Sequence, residues 1–333
     1  MSIEINSPLD MHLHLRQEKM LKVVAPLSAK YFAGGLIMPN LIPPVTSLEM
    51  VKEYKKEILE SIDEEFVPYM TLFFKDSYDE EFLKSIKDEV LAIKLYPSGI
   101  TTNSEGGANL QDLTSLYPVL KLMSELQIPL CVHGESEGFV MDREKEFVEV
   151  YESLAKTFPK LKIIMEHITT KNSVELLDKF ENLYATITLH HLLITLDDVA
   201  GGFLKPHLFC KPIAKRPEDR AALLEVALKA HPKVMFGSDS APHPLHAKES
   251  CGCAAGVFTA PIALQALAQL FEKKGYLENL ESFVSLNAQK IYNITPIEKR
   301  IKLIKKEFKV PEKYGDVVPM FAGKTLSWSI SEE

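Results

Sequence analysis

Along the chain, short apolar runs rich in β-branched residues alternate with longer stretches whose apolar positions recur every three or four residues. The short runs fall at 9–15 (LDMHLHL), 34–40 (GGLIMPN), 66–74 (FVPYMTLFF), 90–97 (VLAIKLYP), 128–135 (IPLCVHGE), 160–168 (KLKIIMEHI), 183–191 (LYATITLHH) and 233–240 (KVMFGSDS). Runs of that length and make-up predict buried strands. Helical spacing fills most of the gaps, at 47–62, 79–90, 113–127, 142–158, 173–180 and 219–230, and two further helical stretches, 260–274 and 280–292, follow the last strand. Eight strands with helices between them predict an α/β fold, a (β/α)8 TIM-type barrel rather than a sandwich. An open doubly wound sheet ordinarily has fewer strands and often a glycine-rich first turn. Neither GxGxxG nor GxxxxGK[ST] occurs here. From about residue 297 the chain turns basic and then β-rich, which reads as a C-terminal extension packed on the barrel. With no repeat or linker in view, residues 1–333 are expected to form a single domain.

Polar residues stand at the C-terminal ends of these runs, where a barrel of this type carries its chemistry. In the first run, residues two apart share one side of a strand, so His12 and His14 project together and Arg16 follows on the same side. Met11, Leu13 and Leu15 are then expected to face the other way. The second run ends at Asn40, the fourth holds Lys94, the fifth His133, the sixth His167, and the eighth Asp239 with His243 just beyond. A polar group at the end of an apolar run is costly unless it is paired or coordinated. Two hydrogen-bonded histidines account for the first strand taken alone. Four histidines, a carboxylate and a lysine converging from several strands exceed what packing explains.

Imidazole nitrogens and a carboxylate are ligands that zinc accepts. Lys94 does not fit as an ammonium, because metal cations would repel it. It fits if desolvation and nearby positive charge keep the amine neutral. A neutral amine can add carbon dioxide, and the two oxygens of the resulting carbamate can bridge two metals. On that reading His12, His14 and Asp239 hold one zinc, His133 and His167 the other, and Lys94 is shared. An ion-paired or snorkelling lysine is the simpler alternative for Lys94 by itself.

Composition narrows the partners. The net charge is −8 with a pI near 5.8, which argues against nucleic acid. The opening MSIEINSPLD has no basic segment followed by an apolar one, and no apolar run approaches the ~20 residues that span a bilayer. A cytoplasmic protein without a membrane partner is expected. Cys131, Cys210, Cys251 and Cys253 are too few for a disulfide framework, and the CGC pair lacks a second pair at finger spacing. His190 and His191 end the seventh run, where supporting or core roles are expected. Tyr96 and Pro97 read as residues that shape the turn after Lys94, and His207, His231 and His246 as loop or helix-end residues.

Taken in order, HxHxR, MPN, IKLYP, VHGE, EH and GSDSAPH resemble the motifs of the amidohydrolase superfamily. The narrower combination DMHLHLR, KLYPSGITTN and GSDSAPH…KESCGCAAG is similar to the dihydroorotases of the shorter bacterial, class II type, over about residues 8–290. The resemblance implies two zinc ions per chain on His12, His14, Lys94 (as N-carboxylysine), His133, His167 and Asp239. It implies a clamp for the substrate carboxylate made of Arg16, Asn40 and His243, and a mobile loop that presents Thr101 and Thr102. Main-chain substrate contacts fall on Lys211, where an apolar residue is expected, and on Ala255 or, because CGCAAGVF is shifted by one residue, Ala254. The glycines at 99, 106 and 107 suit a lid.

The implied substrates are N-carbamoyl-L-aspartate and L-dihydroorotate, interconverted in de novo pyrimidine biosynthesis, and the implied assembly is a homodimer. Asp239 would act as general acid and base, passing the proton of a zinc-bridged hydroxide to the leaving ring nitrogen. Arg16 offers the planar fork that a carboxylate needs. A dihydropyrimidinase or hydantoinase is the enzymatic alternative, and its neutral ring would leave the clamp unpaired. A non-catalytic partner barrel would be expected to have lost ligands. A metal-storage protein would have no use for a general base and an anion clamp on one rim.

Overall fold

The structure, a computed structural model, describes residues 1–331. A first strand, β1 (Ser2–Asn6), precedes eight parallel ones. These are β2 (Leu9–Leu13), β3 (Gly34–Ile37), β4 (Val67–Phe73), β5 (Ala92–Leu95), β6 (Leu130–Val132), β7 (Ile163–Met165), β8 (Leu183–Ile187) and β9 (Val234–Phe236). Each pairs with the next in sequence, and helices carry the chain between them. Asp239 N donates to His12 O at 2.8 Å and His14 N to Ser240 O at 3.2 Å, joining the chain just beyond β9 to β2 and closing the ring. The predicted (β/α)8 barrel is therefore the fold.

Alternation along the strands sorts side chains into two apolar layers. Ala92, Cys131, Ile164 and Met235 cluster inside the barrel with Leu9 and Met11, whereas their neighbours Ile93, Leu130, Ile163 and Val234 pack outward in the larger core. The helical stretch Asn287–Tyr292 closes the lower mouth, with Ala288, Ile291 and Tyr292 against the interior cluster and Cys131 Sγ 3.4 Å from Tyr292 Oη.

Met11 departs from expectation. It joins the interior cluster rather than facing away from the histidines, because the β2–β3 register shifts between Asp10 and Leu13. Such an irregularity inserts an extra residue and reverses the phase. Leu9 and Met11 can then point inward low in the barrel, with His12 and His14 at its upper rim, while Leu13 and Leu15 pack in the larger outer core.

The strand predicted to run through His191 stops at Ile187. Thr188 caps a short helix, Leu189–Leu193, by accepting the His191 N–H at 3.0 Å, so His190 and His191 are helical. The helix Glu18–Ala29 has no counterpart among the predicted stretches. Its N-terminus has no side-chain cap and Pro26 lies within it, so burial of Leu21, Val24 and Ala25 outweighs weak local signals.

The C-terminal extension contains β10 (Arg300–Ile304), β11 (Phe308–Lys309), β12 (Thr325–Leu326) and β13 (Ser329–Ile330). β10 pairs antiparallel with β1, from Ser2 opposite Ile304 to Asn6 opposite Arg300, and with β13 on its other edge. Val310, Leu326 and Trp328 bury into the main core. Among the described residues, no helix is long and apolar enough to cross a membrane.

Candidate active site

The strand ends bring the expected residues to one cavity. His12, His14, Arg16, Asn40, Thr101, Thr102, His133, His167, Lys211, Asp239 and Ala255 line it together with Tyr96. Lys94 is fully buried beside it, with Nζ 5.1 Å from the Tyr96 ring centroid. His243 reaches its edge, with Nε2 3.2 Å from Arg16 Nη2 and 2.9 Å from Ala255 O. Ala254 is engaged elsewhere, its N–H donating to Ala247 O at 2.9 Å and its carbonyl accepting from Lys248 Nζ at 2.7 Å.

Asp239 Oδ1 lies 3.1 Å from His14 Nε2 and 3.6 Å from His12 Nε2, and these three residues form a buried group able to hold a metal ion. His12 presents Nε2 because its Nδ1 is bonded to Glu166 Oε2 at 2.7 Å. Thr186 Oγ1 donates to the same carboxylate oxygen at 2.6 Å and accepts the His167 N–H at 2.7 Å, so one hydroxyl registers two rim residues. His133 is oriented likewise, its Nε2 2.8 Å from Glu135 Oε2, which leaves Nδ1 for the site. Carboxylates that fix the tautomer of a ligand histidine are a usual accompaniment of metal centres. Glu166 and Glu135 both lie inside the motifs EH and VHGE, but nothing in their spacing reveals the pairing of Glu166 with a residue 154 positions away.

Three rim residues have left-handed backbones: Arg16 (φ 61°), His167 (φ 40°) and Asp239 (φ 43°). Non-glycine residues hold that conformation only where the surroundings enforce it. Arg16 consequently does not reach the site by strand alternation, since β2 ends at Leu13. Its backbone turns, Tyr54 Oη donates to its carbonyl at 2.8 Å, and its own Nε donates to Pro242 O at 3.1 Å. Gly237 permits the close approach of neighbouring strands, because a Cβ there would stand 2.9 Å from the Cβ atoms of both His12 and Thr186.

The electrostatics favour neutral ligands. Burial lowers the pKa of His12, and burial followed by the Arg16 and Lys94 charges takes His14 well below its ordinary value. Burial and then His133, His12 and Lys94 do the same to His167. Burial alone also lowers Lys94 against the pull of nearby carboxylates, and it raises Asp239. For Glu166 burial acts upward, but His12 and Lys94 prevail and bring it to about 2. Lys94 Nζ and His167 Nδ1 are buried without a hydrogen-bond partner among the described residues. Unprotonated imidazoles, a carboxylate and an orphaned amine are a donor set that fits metal ions.

A loop covers this group. Asn40 Nδ2 donates to Thr102 O at 3.0 Å, Asn103 Nδ2 to Asn40 O at 3.0 Å, and Lys211 Nζ to Ile100 O at 3.1 Å. The unexpected lysine at 211 thus holds the loop through its side chain. Behind the site His190, His191 and Cys210 make a second compact group. There His191 is already engaged, its Nδ1 2.9 Å from Thr188 Oγ1 and its Nε2 3.0 Å from Pro212 O.

Known proteins resemble the whole chain. A dihydroorotase of Helicobacter acinonychis is 44% identical over 338 residues, covering 100% of this chain and 99% of its own. The crystal structure of dihydroorotase from Campylobacter jejuni superposes with a TM-score of 0.95 at 57% identity, covering 99% of this chain and 98% of its own. Saccharomyces cerevisiae dihydroorotase, solved in complex with 5-fluoroorotic acid, gives 0.93 at 34% identity, with coverage of 99% and 98%. The model of the amidohydrolase family matches residues 8–298, and the chain belongs to that family.

Proposed function

We propose that this protein interconverts N-carbamoyl-L-aspartate and L-dihydroorotate, the dihydroorotase reaction of pyrimidine biosynthesis. The observation that carries the reading is that a buried His/Asp group able to hold a metal ion lines one cavity with Arg16 and Asn40, with His243 at its edge beside Arg16. Dihydroorotate is a cyclic amide bearing a carboxylate, so a site for it needs both. A neutral cyclic amide would leave the partly buried Arg16 guanidinium without an anion.

His12, His14, His133, His167 and Asp239, together with a carboxylated Lys94, would hold two zinc ions. When bound, the metals supply Lewis acidity toward the ring carbonyl and ionise the attacking water. The unpartnered, desolvated Lys94 amine supports carboxylation, since a neutral amine is the species that adds carbon dioxide. Arg16 is two residues beyond His14 and offers its fork to the substrate carboxylate. Burial and the Arg16 and Lys248 charges push His243 down to about 3, so it serves as a neutral hydrogen-bonding partner. Asn40 would release Thr102 O to join the clamp. Asp239, raised by burial toward the range where a carboxylate shares protons, accepts one from the attacking water and returns it to the ring nitrogen. Thr101 and Thr102 line the cavity and would exclude solvent from the substrate, whose ring the main chain at Lys211 and Ala255 would border.

The same reading treats barrel and extension as one domain and the protein as a cytoplasmic homodimer, which light scattering on the purified protein would check. Its decisive test is turnover of L-dihydroorotate with zinc counted in the same sample and Lys94→Ala run alongside. Turnover with two zincs per chain, both lost in the variant, is expected. A full metal complement without turnover would overturn the assignment.

A further inference from the structure

We infer that Tyr96 is a catalytic residue, its phenol donating a hydrogen bond to the oxygen of the ring carbonyl under attack. The inference rests on the reaction proposed above. Sequence position assigns this residue only to the turn after Lys94. Strand alternation gives more, because Lys94 and Tyr96 flank Leu95 and share the inward side.

Tyr96 is 2% exposed, its ring lines the cavity, and its hydroxyl has no hydrogen-bond partner among the described residues. A buried donor left unpaired is destabilising, so it persists where a partner arrives with a ligand. The side chain is not free to seek a partner elsewhere. Its ring stacks on Phe73 at 5.2 Å between centroids and lies 6.5 Å from that of His133. Its carbonyl accepts the Ala108 N–H at 2.8 Å, which fixes its backbone to the base of the covering loop.

The substrate brings a carboxylate and ring carbonyls as acceptors. Arg16, Asn40 and His243 match the carboxylate, so the remaining demand is the carbonyl oxygen that gains negative charge as water adds. A rigid, neutral donor aimed there stabilises the transition state more than the ground state.

The test is Tyr96→Phe, which keeps the ring and removes the hydroxyl. Wild-type turnover of L-dihydroorotate is measured first, since its failure would sink the parent reading and not this one. With that established, Tyr96→Phe is expected to lower kcat about 100-fold with KM within about threefold. Zinc content and thermal midpoint should stay at wild-type levels, while Tyr96→Leu, which also loses the stacking on Phe73, should lower the midpoint. Unchanged kcat would overturn the inference, as would a raised KM at constant kcat. Zinc lost from Tyr96→Phe would overturn it too, reassigning the hydroxyl to the Lys94 headgroup.

Discussion

The two ends of the barrel are built on the same strands and follow opposite rules. Ala92 and Lys94 are two residues apart on β5 and share its inward side; Cys131, in the middle of β6, stands in the same relation to His133 just beyond the strand. At the lower end Ala92 and Cys131 meet Met11, Ile164, Met235 and Tyr292 in a packed apolar cluster. At the upper end Lys94 Nζ, Tyr96 Oη, His167 Nδ1, Glu135 Oε1 and Glu166 Oε1 are buried without hydrogen-bond partners among the described residues. The lower mouth is complete as a polypeptide. The upper mouth carries unpaired buried groups that the proposed metals and substrate would relieve, as expected where stability and chemistry occupy opposite faces of one barrel.

Substitutions at the two ends should therefore separate activity from stability. Lys94→Met is expected to lower kcat/KM at least ~10³-fold with loss of bound zinc. Compared metal-free with metal-free, its thermal midpoint should equal or exceed that of the parent, because an apolar chain replaces an unpartnered buried amine. A large drop in that midpoint would mean the upper end also carries the fold. Leu9→Ala, at a fully buried lower position, should cost about 2–5 kcal/mol in urea unfolding while kcat stays within about twofold. Arg16→Lys should raise KM and lower kcat/KM by about 2 kcal/mol, or ~30-fold, as a point charge replaces a planar fork. Steady-state kinetics that instead moved kcat alone would remove Arg16 from the clamp.

His191 gives the smallest and finest contrast, an upper-end residue that is already hydrogen-bonded. Burial lowers it from 6.5 to about 4. The unfolded chain thus binds the proton first on acidification. Its contribution is complete above about pH 6.5 and is lost as pH falls toward 4, roughly 1 kcal/mol of it between pH 7.5 and 5.5. His191→Asn should flatten the pH dependence of the urea midpoint by that amount, and an unaltered slope would show that other groups carry it.

The barrel was legible because its strands are short, apolar and punctuated. The residues that meet at the cavity were legible because a polar residue at the end of such a strand is costly unless something binds it. What stayed hidden depends on contacts between distant parts of the chain. The register shift in β2 that turns Met11 inward leaves no mark in a run of alternating residues. Alternation puts Arg16 on the correct side for the wrong reason, since a left-handed backbone brings it there. Glu166 stood in view, but its bond to His12 appears only once β2 and β7 share a barrel. His190 and His191 looked like the end of a strand because a single threonine cap decides otherwise.

The pairing of β1 with β10 also sets an order of events during synthesis. Ser2–Asn6 finds its partner only when residues 300–304 have been made. At ~5–20 residues per second that partner emerges about 15–60 seconds after β1. The β2 edge waits as well, for the Asp239 N–H that closes the barrel onto His12. Through that interval the nascent chain presents open strand edges at its N-terminal end, where mispairing with another chain is easiest. Closure across so long a stretch of sequence is slow. Aggregation is thus a hazard of the chain in the making, removed once its last strands arrive.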